Sequence, residues 1–222
     1  MKRVILTLTL AAAPLIVQAA EFDVEIHNPT RGLYYTPLLV TAHPPSMKLF
    51  EAGEAASSEL QAMAEGGDIM PLVTALDSAG ATTVANPAAG LLAPGETTTA
   101  IVNTNNATAN TQLSIVAMLL PTNDGFLALN SLTVPTLPGT YTYNLNAYDA
   151  GTEANTESAD TVPGPAASGL AEGFNADRDD VRNAVYVHPG VVTQDDGLNT
   201  STLGGNQRWD NPIARVQIER VQ

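Results

Sequence analysis

The chain has 222 residues, no cysteine, and 23 acidic against 9 basic residues. The lack of cysteine excludes disulfides and thiolate metal sites. The net charge of −14 disfavours nucleic acid and anionic membrane surfaces as partners; it suits cations, basic partners or plain solubility.

Residues 1–20 read as a secretory signal peptide. Lys2 and Arg3 precede an apolar run from Val4 to Val17, and Val17-Gln18-Ala19 places small residues at cleavage spacing. The run is too short for a spanning helix, and no later run is long enough to cross a membrane. Without Lys2 and Arg3 the rest of the chain carries 7 basic and 23 acidic residues, a net charge of −16. A secreted chain without cysteine fits a bacterial periplasm or exterior. Residues 21–222 are long enough for one domain with a sizeable core.

Glu21 to His27 alternates, with Phe22, Val24 and Ile26 on one face, as a half-buried strand does. Leu38-Leu39-Val40 reads as a second strand. From Gly53 to Glu65, Ala56, Leu60, Met63 and Ala64 mark one buried helical face, which Gly66-Gly67 ends. Asp68 is placed to cap a second short helix carrying Pro71, Leu72, Val73 and Leu76. Ala81 to Gly90 is rich in turn residues, and Thr97 to Val102 is a strand after the Pro94-Gly95-Glu96 turn. Gln112 to Leu120 is nearly continuous in apolar residues, the mark of a strand buried on both faces. Strands follow at Phe126–Val134, Gly139–Tyr148, Val185–His188 and Pro212–Val221. The expected fold is mainly β: an antiparallel β-sandwich with a small helical insert near residues 53–77. Ala154 to Asp180 reads as a long exposed loop and Val192 to Arg208 as a second polar loop.

Two acidic loops close apolar strands: Leu119-Leu120-Pro121-Thr122-Asn123-Asp124-Gly125-Phe126 and Ala147-Tyr148-Asp149-Ala150-Gly151-Thr152-Glu153. Where both strands share a sheet, these loops converge and offer oxygens to a hard cation such as calcium, which takes six to eight of them. The plainer alternative is that Asp124 and Asp149 cap turns. Catalytic patterns are sparse. There is no Gly-x-Ser-x-Gly, no phosphate loop with Lys and no His-Glu-x-x-His. His43 and His188 each follow an apolar strand; they suit hydrogen-bonded strand ends better than a joint zinc site. Trp209 suits core or turn packing better than a sugar platform. Asp177, Asp179 and Asp180 lack the Gly and distal Glu of an EF-hand and read as a solvated face. Asp195-Asp196-Gly197 is equally weak as a site. Asn106-Ala107-Thr108 and Asn199-Thr200-Ser201 match glycosylation acceptors, by chance in a bacterial chain.

The order of segments resembles the spondin domain family, in particular its short bacterial single-domain members. The likeness runs from Phe22 to about Val192. It is carried by Thr36-Pro37-Leu38-Leu39-Val40-Thr41-Ala42-His43, Leu49-Phe50-Glu51-Ala52-Gly53, Ala56-Ser57-Ser58-Glu59-Leu60 through Gly66-Gly67, and the two acidic loops. The resemblance implies an extracellular matrix or adhesion β-sandwich with a cation site, and it transfers ligand roles to Asp124, Asp149 and, more weakly, Glu153. Animal members carry cysteines and often thrombospondin-type repeats; this chain has neither, so integrin or matrix binding is not carried over.

The expectation is therefore a secreted or periplasmic, non-catalytic, calcium-binding module that makes envelope or extracellular contacts with a protein or matrix partner. The competing expectation is a secreted hydrolase using His43 or His188 with a loop carboxylate. A third has no ligand at all.

Overall fold

A computed structural model describes residues 20–104, 109–164, 173–180 and 182–221. The signal-peptide segment up to residue 19 and the acceptor motif at residues 106–108 lie outside them.

Among the described residues, ten strands alternate in address between two packed sheets. They are β1 (Glu21–His27), β2 (Tyr34–Tyr35), β3 (Leu39–His43), β4 (Thr82–Ala85), β5 (Thr97–Asn103), β6 (Gln112–Leu120), β7 (Gly125–Thr133), β8 (Gly139–Asp149), β9 (Tyr186–Val187) and β10 (Ala214–Arg220). Every ladder is antiparallel, in the order β4-β3-β6-β7-β8-β10-β1-β5. The strand β8 belongs to both sheets. Its first half, Gly139 to Leu145, pairs with β10, and its last residues, Asn146 to Asp149, pair with β7. One long strand thus folds the sheet over on itself, nearly closing it into a barrel-like sandwich.

The continuous apolar run of β6 follows from three layers of packing. Leu113, Ile115, Ala117 and Leu119 enter the core between the sheets. Val116 and Met118, on the opposite face, enter a second core beneath the helices. Period-2 alternation is invisible because both faces are dry. The same division holds in β7, where Leu127 joins the first core and Phe126 the second.

The helical layer is α1 (Ser58–Gly66) and α2 (Met70–Ser78). Ser57 caps α1, its side chain accepting from Leu60 N, and Gly67 ends the helix in the left-handed region at φ 68°. Asp68 accepts from Met70 N at 2.9 Å at the start of α2. Leu60, Met63, Leu72 and Leu76 are the buried face. Phe50 clamps this layer to the sheet, its ring edge-on to Phe126 at 5.2 Å and to Tyr148 at 5.0 Å.

Two expectations need correction. The segment from Ala154 is not simply an exposed loop: Glu157 and Val162 are buried. Val162 forms a third small core with Val191 and Leu203, so the second polar loop also turns residues inward. A bridge between Ser158 and Ser201 joins the two segments. These contacts link residues about forty positions apart, which local composition does not encode. Residues 165–172 of the first segment lie outside the described residues. In addition, β4 forms within a stretch expected to be turns.

Candidate metal centre

The β6–β7 turn and the end of β8 meet because of register. Gly125 stands opposite Asp149 in the β7–β8 ladder, so Asp124 and Asp149 sit side by side at one end of the sandwich. Both are fully buried. The residues after β8 wrap around Asp124. Its Oδ2 accepts from Thr152 N at 2.7 Å, Glu153 N at 3.1 Å and Thr152 Oγ1 at 3.2 Å. Its Oδ1 is buried with no hydrogen-bond partner.

Asp149 is bonded through both oxygens. Oδ1 accepts from Gly151 N at 2.8 Å and Oδ2 from Asn155 Nδ2 at 2.6 Å. Gly151 is needed where it stands. Its φ is 67°, and a Cβ there would overlap the Ala184 carbonyl and lie 2.6 Å from Ala184 N. The wrap therefore closes only on glycine.

Glu153 lies at the margin. Its N–H reaches Asp124, but its carboxyl, pushed up to about 8, responds first to burial and next to Glu65. The Asn123 amide is near enough to favour its charged form, yet Asn123 Nδ2 makes no hydrogen bond of its own. Glu65 is held by Gln61 Nε2 and by Asn175 N, each at 2.9 Å.

Two ionisable side chains that the loop motifs did not announce interact electrostatically with Asp149. Glu157, only 2 % exposed, spends Oε1 on Val192 N at 3.2 Å and leaves Oε2 unpaired. Its carboxyl is pushed up to about 7 by burial, with the Asp149 charge adding to it. His188 accepts from Gly190 N through Nδ1, so in the neutral ring Nε2 carries the proton. That Nε2 faces Asp149 Oδ2 at 3.9 Å, too far for a hydrogen bond. Burial lowers the His188 pKa, against the pull of Asp149. No local signal marks Glu157; His188 was visible as a strand-end histidine.

The electrostatics are one-sided. The Asp124 carboxyl is pushed up to about 7, mainly by burial and then by Asp149, despite three donors favouring its charge. Among the described residues, no Lys or Arg forms an ion pair with Asp124, Asp149, Glu153 or Glu157. Nor, among them, do three or more His, Asp or Glu side chains stand grouped as a closed metal site. The arrangement is an oxygen-rich, anionic pair with an unfilled acceptor. That chemistry fits a hard cation better than a soft one.

The remaining expected residues lie apart. His43 donates from Nδ1 to Pro44 O and receives Ser114 Oγ at Nε2, 2.8 Å away, as a hydrogen-bonded strand end. It shares no partner with His188. Asp177 and Asp179 are exposed, as a solvated face would be; Asp179 also accepts from Ala154 N. Asp196 caps a short 3-10 turn with Thr193 and pairs with Arg208 at 3.0 Å. Trp209 is half-buried and packs on His188, ring centres 4.9 Å apart.

Residues 23–183, well over half of the chain, match the family model described as Spondin_N. No curated protein matches the chain.

Proposed function

The chain belongs to the Spondin_N family, and on that premise we propose that it is a non-catalytic extracellular module whose loop end takes up calcium. One observation carries this reading: Asp124 Oδ1 is buried, unpaired and beside a second carboxylate, Asp149, and among the described residues no Lys or Arg forms an ion pair with either. A buried anion without a partner costs several kcal/mol. A divalent cation reverses the sign of that cost. Asp124 and Asp149 are the residues that would hold the ion, with Glu153 supplying a further oxygen from the margin. The ion would neutralise the pair and tie the β6–β7 turn to the segment after β8.

The reading of residues 1–20 as a signal peptide supports export to the bacterial envelope or exterior, and the family supports an extracellular module. The hydrolase reading has one observation in its favour, the facing of His188 and Asp149. Their side chains are 1 % and 0 % exposed, so a substrate has no direct route to them. The non-catalytic reading is the better supported. Calorimetric titration of metal-free protein with calcium tests it: saturable binding, with magnesium a poor substitute, is expected, and the absence of calcium heat would refute it.

A further inference from the structure

A pocket of about 180 Å³ opens between the β1–β2 turn and the loop leading into β10. Pro29 and Arg31 line it from the turn; Arg208, Trp209, Asp210 and Pro212 line it from the loop. The loop half lies beyond residues 23–183, the part of the chain that matches the family model. Nothing in the calcium reading uses these residues.

The pocket walls are fixed from behind. In the turn, Asn28 is buried and bonds Leu33 O and Leu92 O, while Thr30 Oγ1 donates to Asn28 Oδ1 at 2.7 Å. In the loop, Asn211 Oδ1 accepts from Ala147 N at 2.7 Å and its amide donates to His188 O. The two walls touch at Gly32, where a Cβ would stand 2.7 Å from Asn206 O. The walls are therefore fixed by the Asn28 and Asn211 side chains bonded to backbone groups and by the close approach of Gly32 to Asn206.

Its chemistry is mixed in a specific way. Seven basic residues remain after residue 20, and two of them, Arg31 and Arg208, line this one pocket. Arg208 is engaged with Asp196 at 3.0 Å, and its side chain is 57 % exposed. Arg31 is exposed, with no ion pair among the described residues. Asp210 adds an acceptor. Trp209 and the two prolines add apolar rings, and the indole N–H is buried without a partner. Guanidinium groups ask for an anion, ideally a planar carboxylate. Asp210 asks for hydroxyl donors, and the rings ask for an apolar face. A bare phosphate or sulfate meets only the first demand. The volume lies below the roughly 300–1,000 Å³ of pockets for drug-sized ligands, which suits a single sugar unit seated in the pocket.

We propose that this pocket binds an acidic sugar unit, a hexuronate, with its carboxylate on Arg31 and Arg208, its hydroxyls on Asp210 and its ring against Trp209. In a chain this acidic, attraction of an anion requires such a local pair, because the overall field repels it.

Trp209 is the sole tryptophan, so its fluorescence reports the pocket directly. The test titrates full-length mature protein with a hexuronate disaccharide, in EDTA to keep the calcium centre out of the readout, and confirms binding by calorimetry. A neutral hexose disaccharide and acetate serve as comparisons. A saturable fluorescence change with the uronate alone is expected. Arg31→Ala should weaken binding by about tenfold or more, as the loss of a charge-assisted hydrogen bond does. Arg215→Ala, on an exposed arginine outside the pocket, should leave it unchanged. No response at millimolar uronate, an equal response to the neutral sugar or to acetate, or full binding by Arg31→Ala would each overturn the proposal.

Discussion

Asp124 and Asp149 stand one register step apart at the end of the β7–β8 ladder, and only one of their four carboxylate oxygens, Asp124 Oδ1, is buried without a partner. The donors around them are backbone N–H groups of residues 151–153, the Thr152 hydroxyl and the Asn155 amide, all from the chain that leaves β8. Folding thus brings charge together before anything neutralises it. The stability of this end of the molecule depends on protons or cations.

The pH dependence follows from that. Asp124 and Glu157 are raised to about 7 and Glu153 to about 8, largely by burial. A carboxyl raised on folding binds a proton in the native state that the unfolded chain has already released, so stability falls as pH rises. His43 and His188 are lowered by burial; they take up protons on unfolding, so stability also falls as pH drops below their ordinary value of about 6.5. In EDTA the melting temperature should decline from about pH 6 toward pH 8, as the three raised carboxyls ionise in the folded state. A melting temperature that climbs steadily to pH 8 would contradict this assignment.

Gly151→Ala should be severely destabilising. The substitution forces a side chain into a left-handed backbone and against Ala184. A strained φ costs about 1–3 kcal/mol before any overlap is counted, so a loss of about 3 kcal/mol or more is expected in chemical denaturation. A loss within about 0.5 kcal/mol, the range of ordinary surface changes, would show that the wrap after β8 yields easily.

Phe126→Ala tests the second core. Phe126 is fully buried beneath the helical layer and stacks on Tyr148 at 5.7 Å. Truncating a buried phenylalanine costs about 3–5 kcal/mol. The same change should loosen Phe50 and hence the helix pair, seen as early loss of amide protection in α1.

Export should leave a mature chain that begins at Ala20 or Glu21. Ala20 is already built into the fold: its N–H donates to Thr104 Oγ1 at 3.0 Å and its carbonyl accepts from Thr104 N at 2.9 Å. Intact-mass measurement of exported protein reads this directly, and a secreted form that retains Met1 would contradict the signal-peptide assignment.

Much of the sheet was legible in the residues, and the reason differs by strand. β1 and β8 announce themselves by alternation because one of their faces meets water. β6 announces itself by the opposite sign, an unbroken apolar run between two cores. β2 and β4 escape because two or four residues are too few to set a period. Asp124 and Asp149 were recoverable because a glycine turn follows each closely and the strands before them are plain. Glu157 was not. Its burial depends on Val192 N and Asn123 Oδ1, contacts 35 and 34 residues away. Trp209 packs on His188, as its expected packing role requires; that it also lines a cavity with two arginines drawn from opposite ends of the chain was not legible, because local sequence does not encode their meeting.

The most direct test of the calcium centre is thermal melting of the mature protein in EDTA and in millimolar calcium, for wild type and Asp149→Asn. An ion that binds only the folded state stabilises it by about 2.7 kcal/mol at a hundredfold excess over Kd, a shift of roughly 5–10 °C for a domain of this size. The wild type should show that shift, and Asp149→Asn should lose most of it. Superimposable wild-type curves with and without calcium, or a full shift that survives in Asp149→Asn, would contradict the account and leave both acidic loops as turns.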